Sequence, residues 1–239
     1  TRFLDDRLGI SGRLYFEHEE RENMDLDDFE EANREDQEWS LSLQALWSID
    51  VDRFLFAKGR TKNSTTAEDD EAVTLSEDKT GLEELYYFQR GLGGQPISLQ
   101  VGRMDFDEGR EWFYDTSLDA IRVEWEKGPF SIEASWSSFF GSPPVEIEDR
   151  HQHIFVGRWR PETKTQHAIY IIDIIQDRSI DPSLPVQRLN ESPFFVGFQS
   201  NGRAMDGDLR WWVDGAYVDG VSGFDKISAF GIDASVARR

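Results

Sequence analysis

The chain has 239 residues, of which 47 are Asp or Glu and 26 are Lys or Arg, giving a net charge of −21. A surface this acidic argues against general nucleic-acid binding, which needs a basic footprint. The lack of cysteine excludes disulfides and thiolate metal sites. Aromatic residues make up 13%, more than disordered chains carry, and no apolar run reaches 18 residues, which excludes a transmembrane helix but not a transmembrane β-barrel.

Taken in chain order, the sequence reads as strands, because period-two alternation is common and helical periodicity almost absent. Thr1-Arg2-Phe3 leads straight into charged residues, so a secreted protein would stand here in mature or trimmed form. Over 7–18, Leu8, Ile10, Leu14 and Phe16 share one face, and Arg7, Ser11, Arg13 and Glu17 the other. The stretch 19–37 follows as a long connection with ten acids and two arginines. Over 38–49, Trp39, Leu41, Leu43, Ala45, Trp47 and Ile49 alternate with Ser40, Ser42, Gln44 and Ser48. Trp39 and Trp47 are about 26 Å apart along such a strand, or about 20 Å along a membrane normal after a tilt of roughly 40°, near the height of an apolar band between aromatic girdles. The remaining strands are expected at 52–60, 82–90, 96–105, 119–127, 129–140, 151–160, 165–176, 193–202, 207–219 and 226–238, making twelve in all. Those at 82–90, 151–160 and 165–176 are ambiguous in facing.

The expected connections nearly alternate in length. Those at 19–37, 61–81, 106–118, 141–150 and 177–192 are long, and the ones between them are short turns. Short periplasmic turns and long outer loops have this rhythm in outer-membrane barrels. The acids concentrate in the long connections, placing the acidity at one end of the molecule.

No pattern of catalytic residues emerges. His151 and His153 share a strand face and, with His167, suggest a metal triad, but no spacing signature supports one. Asp25, Asp27 and Asp28 lack the glycine and closing glutamate of a calcium loop. Phosphate-cradling glycine loops and a nucleophile elbow are absent. No enzyme activity, metal or cofactor is expected.

One segment looks like a signature. Residues 101–122 read Val-Gly-Arg-Met-Asp-Phe-Asp-Glu-Gly-Arg-Glu-Trp-Phe-Tyr-Asp-Thr-Ser-Leu-Asp-Ala-Ile-Arg. This resembles the alginate-export family of outer-membrane β-barrels through Gly102, Arg103, Phe106, Asp107, Glu108, Arg110, Glu111, Trp112, Tyr114, Asp115, Leu118, Asp119 and Arg122. The resemblance implies an all-β, antiparallel up-and-down transmembrane β-barrel in the bacterial outer membrane. It also implies about eighteen strands, more than the twelve expected here. Residues 1–239 are therefore expected to be the N-terminal part of a larger barrel domain, incomplete at the C-terminus. The implied function is a passive channel exporting an anionic polysaccharide, alginate or similar. Its partners would be outer-membrane lipid and periplasmic export machinery, with no nucleic acid.

A conduit for a polyuronate needs inward cations that bind weakly and repeatedly, and arginine forks suit carboxylates. Alternation puts Arg13, Arg122 and Arg210 on the polar, lumen-facing side, with Arg103, Arg158 and Arg110 as further candidates. Glu124, Glu133, Asp214 and Asp233 are the acids expected to pair with some of them. The loop 105–119, with Trp112, Phe113 and Tyr114, is expected to fold inward and narrow the pore near Arg103, Arg110 and Arg122. An uptake porin for small anionic solutes and a soluble β-rich carbohydrate-binding protein remain the alternatives.

Overall fold

The computed structural model describes residues 2–3, 7–21, 34–68, 73–107, 115–138, 150–162, 164–176, 191–204, 208–222 and 225–238. Strand β1 (Arg2–Phe3) is a two-residue fragment. Twelve long strands follow: β2 (Leu8–Arg21), β3 (Arg34–Ser48), β4 (Arg53–Glu68), β5 (Val73–Gln89), β6 (Ile97–Asp107), β7 (Asp115–Lys127), β8 (Phe130–Ser138), β9 (Arg150–Glu162), β10 (Thr165–Gln176), β11 (Glu191–Ala204), β12 (Leu209–Ser222) and β13 (Asp225–Arg238). Their order in the sheet is their order in the chain. Among the described residues the one helical element is a short 3-10 turn, Leu92–Gly94.

All twelve expected strands are present, but several connections are shorter than the sequence suggested. The expected connection 61–81 is almost all strand, since β4 runs to Glu68 and β5 starts at Val73. The expected connection 19–37 likewise loses both ends to β2 and β3. The physical reason is that these strands extend past the end of their apolar alternation. Where one continues into water, charge and threonine replace the apolar alternation while the backbone ladder persists. Acids assigned to loops, among them Glu19, Glu20, Glu35, Asp36, Glu77 and Asp78, therefore stand on paired strands.

The chain divides into two compact units, Thr1–Tyr87 with Arg103–Ser117, and Phe88–Gly102 with Leu118–Arg239. In the first, β2, β3 and β4 pair antiparallel in unbroken register, for example Leu14↔Leu41 and Ser42↔Arg60. Leu14 is 75% exposed, and Phe16, Trp39, Leu43 and Trp47 on the same face are exposed as well. Ser40, on the other face, is buried. In the second unit β7 to β13 form one antiparallel ladder. Across it runs an apolar row set by register: Trp125, Ile132, Gly157, Ile169, Phe198, Gly215 and Ile232.

The ordinary burial rule is inverted here. On β8, Phe130, Ile132 and Trp136 are exposed while Ser131, Ser135 and Ser137 are buried, Ser137 to 1%. Two of the ambiguous strands also show one exposed and one buried face. On β9, Phe155 and Trp159 are exposed and Gln152 and Ile154 buried; on β10, Ile169, Ile171 and Ile175 are exposed and Ala168, Tyr170, Ile172 and Ile174 buried. On β5, Tyr86 packs on Phe54 and Phe56. Soluble proteins rarely expose contiguous apolar area beyond a few hundred Å². Sheet faces built this way suit a lipid surround, with the polar side turned from it.

Glycines let large rings lie flat on the sheet. A Cβ on Gly197 would come 2.2 Å from the Tyr170 ring, and one on Gly215 would meet the Phe198 ring at 2.7 Å. Aromatic cover of a strand glycine of this kind fixes register.

Candidate functional site

The polar face of the second unit carries a compact charge cluster on β7, β8 and β9. Glu133 accepts from Arg158 Nη1 at 2.8 Å, and Arg122 Nε lies 3.4 Å from its other carboxylate oxygen. Register explains the geometry. Ser135 stands opposite Arg122 and Ser131 opposite Arg158, so the two arginines approach Glu133 along opposite diagonals. Glu133 is only 13% exposed, and Glu124 stands directly across from it. Like charges opposed on a sheet are destabilising, and two guanidiniums converging on this pair of carboxylates offset that.

A second polar group sits on β10, β11 and β12. Tyr170 Oη donates to Asp214 Oδ1 at 2.8 Å, and Gln199 Nε2 lies 3.5 Å from Oδ2. Asp214 is 1% exposed and faces Asp233 in register. Asp214 is thus held by a phenol and an amide.

The first unit carries a cation ladder on β4 that the sequence reading missed. Lys58, Arg60 and Lys62 share the polar face. Lys58 Nζ lies 2.9 Å from Glu83 and 3.5 Å from Glu84, and Lys62 Nζ lies 2.6 Å from Glu38. Arg60 reaches Glu38 and Glu83 at 3.9 and 3.8 Å. Lys62 was missed because the strand was expected to stop at 60, whereas Lys58 and Arg60 lay inside the expected strand and were not singled out. The alternation of Lys58, Arg60 and Lys62 with Gly59 and Thr61 was the signal that it continues.

The expected site residues fall in different places. Arg122 and Arg158 share one cluster. Arg13 is exposed on the polar face of β2, in register with Ser42. Arg210 is exposed at the turn-proximal end of β12, opposite Arg203. Arg103, on β6, is half-buried, and its Nη1 donates to the Leu82 carbonyl at 3.5 Å. Arg110, Trp112, Phe113 and Tyr114 lie outside the described residues, as do residues 108–114 of the loop expected to narrow the pore, while its two ends belong to β6 and β7. Arg122 itself stands well inside β7.

The histidines form no metal triad. Trp136 stacks on His151, Trp159 stacks on His167, and His153 pairs with Asp173 at 3.6 Å. His167 Nδ1 is 3.0 Å from Ser200 Oγ. No cluster of three or more metal-ligating side chains occurs among the described residues. At the β3–β4 turn, Arg53 Nε donates to Asp50 Oδ2 at 2.7 Å. That bond holds the Asp50 carboxyl below its ordinary value and the Arg53 guanidinium above its own.

These features are an exposed apolar face, a polar face with paired charges, and strands in chain order. A family model described as alginate export matches residues 16–238. The chain belongs to the alginate export family. Members of the alginate export family are outer-membrane transport proteins rather than enzymes, and the family match supports a polysaccharide as the cargo class. No curated protein shows significant sequence similarity to the chain.

Proposed function

We propose that this chain forms wall of a passive outer-membrane channel through which an anionic polysaccharide, alginate or a similar polyuronate, leaves the cell. The apolar faces meet outer-membrane lipid, and the polar faces line the path. Periplasmic export machinery delivers the polymer at the end with the short turns. Arg13, Arg122, Arg158 and Arg210 on the strands, with Arg103 and Arg110, are the groups that meet its carboxylates, joined by Lys58, Arg60 and Lys62.

The observation that carries this reading is the cluster at Glu133. Two arginines converge on one carboxylate, on the face turned from the apolar side. Such cations are held in place by their carboxylate partner and retain further N–H donors for a passing anion. Binding of that kind is weak and repeated, as conduction requires. An arginine on the lipid side would instead cost about 2–4 kcal/mol at the midplane.

The test is single-channel recording in planar bilayers with alginate oligomers and neutral oligosaccharides of equal length. The reading expects block by the uronate oligomers at concentrations where the neutral ones have no effect. Equal sensitivity to both would overturn the anionic substrate. Block by small monovalent carboxylates at the same concentrations would favour an uptake porin for small anions.

A further inference from the structure

The polar-face cations described so far in the β4 ladder and around Glu133 have a carboxylate beside them. A different arrangement occupies the short-turn end of the second unit. Arg160, Lys164 and Arg203 line one cleft of about 850 Å³ together with Glu126, Thr165, Gln166 and Asn201. Arg210 stands directly opposite Arg203 across β11 and β12. Arg160 Nε donates to Gln166 Oε1 at 2.9 Å, and Glu126, its acidic neighbour, is 3.8 Å away and largely exposed. Among the described residues, neither Arg203, Arg210 nor Lys164 has a carboxylate within ion-pair distance, and all three are exposed.

Among the described residues, no carboxylate offsets the Arg203–Arg210 pair. Directly opposed residues place their Cβ atoms about 5 Å apart, and like charges there destabilise the sheet. The backbone neighbourhood is otherwise regular: β11 and β12 pair without a break from Glu191↔Ser222 to Ala204↔Leu209, and the Arg203 amide donates to the Lys164 carbonyl at 3.0 Å. A repulsive pair kept in unbroken register, facing water and beside two further cations, fits an anion that arrives from outside. Guanidiniums fork onto carboxylates, and a lysine adds a point charge. Gln166, Asn201 and Thr165 supply amide and hydroxyl partners of the kind that sugar hydroxyls use.

We infer that Arg160, Lys164, Arg203 and Arg210 form a capture site for a uronate chain at the short-turn end, which binds successive carboxylates before the polymer passes the channel. This rests on the reading of the channel as a polyuronate conduit. It adds a separate docking step at one mouth, whose chemistry is the carboxylate of a uronic acid and whose effect lies on the association rate. A cluster of spare cations at a mouth raises the local concentration of an anionic chain.

The test is single-channel block by a purified alginate oligomer added first to one side of the bilayer and then to the other. Wild-type protein is compared with the double variant Lys164→Gln/Arg203→Gln and with the charge-keeping double variant Lys164→Arg/Arg203→Lys. The expected result is a fall of about tenfold in the association rate from the short-turn side with the glutamine pair. The rate from the opposite side stays as in wild type, and the charge-keeping pair keeps most of the lost rate. Association rates unchanged from both sides in a conducting glutamine variant would overturn the capture site while leaving the channel reading intact. An equal fall from both sides would overturn it too, since the charges would then act on the whole path. Absence of block in the wild type would overturn the underlying channel reading instead.

Discussion

Glu133→Gln probes whether the β7–β9 cluster faces the conduction path. Arg122, Arg158, Glu124 and Glu133 sum to zero charge, so the variant leaves a net +1. The amide oxygen of glutamine still accepts from Arg158, and one of the two opposed carboxylates is gone, so the fold should survive. A unit charge seen from about 10 Å through water is worth about 0.4 kcal/mol. Screening over about 30 Å at 0.01 M salt leaves about 0.3 kcal/mol, and over about 8 Å at 0.15 M about 0.1 kcal/mol. Anions gain and cations lose by this amount. The anion-to-cation permeability ratio should therefore rise about 2.7-fold at the lower salt and about 1.5-fold at the higher. Reversal potentials across a KCl gradient measure it directly. A ratio unchanged at both salts, in a variant with wild-type unfolding behaviour, would refute the placement of this cluster on the path.

Other consequences concern the fold. Gly197→Val drives the Tyr170 ring off Asp214, and Tyr170→Phe removes the same hydrogen bond without the clash. The phenylalanine variant should lose about 1.5–3 kcal/mol and the valine variant at least as much, read from urea unfolding in lipid vesicles; equal stability of the phenylalanine variant and wild type would show that Asp214 has no need of the phenol. Ile132→Arg places a charge in the apolar row and should cost about 2–4 kcal/mol in vesicles, but far less in detergent, whose boundary rearranges around it. Asp50 is held below its ordinary value by Arg53, so their bond contributes stability above the unfolded pKa of about 4 and loses it as the pH falls through the lower folded value. Comparing Asp50→Asn with wild type between about pH 6 and pH 2 should show a difference that shrinks toward acid, and a constant difference would count against the bond.

Much of the fold was legible because the apolar alternation survives inversion. Leu14, Phe16, Trp39 and Trp47 alternate the same way whether they face a core or lipid, and only coordinates show the exposed side. Strand ends were not legible, since Thr61, Asn63 and Thr65 carry no apolar signal although they pair in register with Leu41, Trp39 and Gln37. The meeting of Arg122 and Arg158 at Glu133 depends on diagonal register across three strands. Single-strand parity gives each residue a face but no neighbour. Asp214 was expected beside an arginine and is instead held by Tyr170 and Gln199, because Gly197 leaves room for a ring to cross the sheet.

The net charge of −21 looks ill suited to a polyanion, and part of it stands far from the cation ladder of the first unit. In the first unit, Glu19 and Asp36 stand opposite each other, level with Thr66 on β4. That is eight residues from Lys58, about 26 Å along the strand, or about 20 Å after tilt. At physiological salt the screening length is about 8 Å, so the acids at that end hardly reach the cations nearer the turn. The intervening Lys62 and Arg60 are already tied to Glu38. The polar face of this unit thus carries acids near the long connections and cations already paired with carboxylates nearer the turn. A fixed field does no net work over repeated passages, so the charges of the wall cannot drive export. For the proposed conduit, the driving force would have to come from synthesis or from a concentration difference across the membrane.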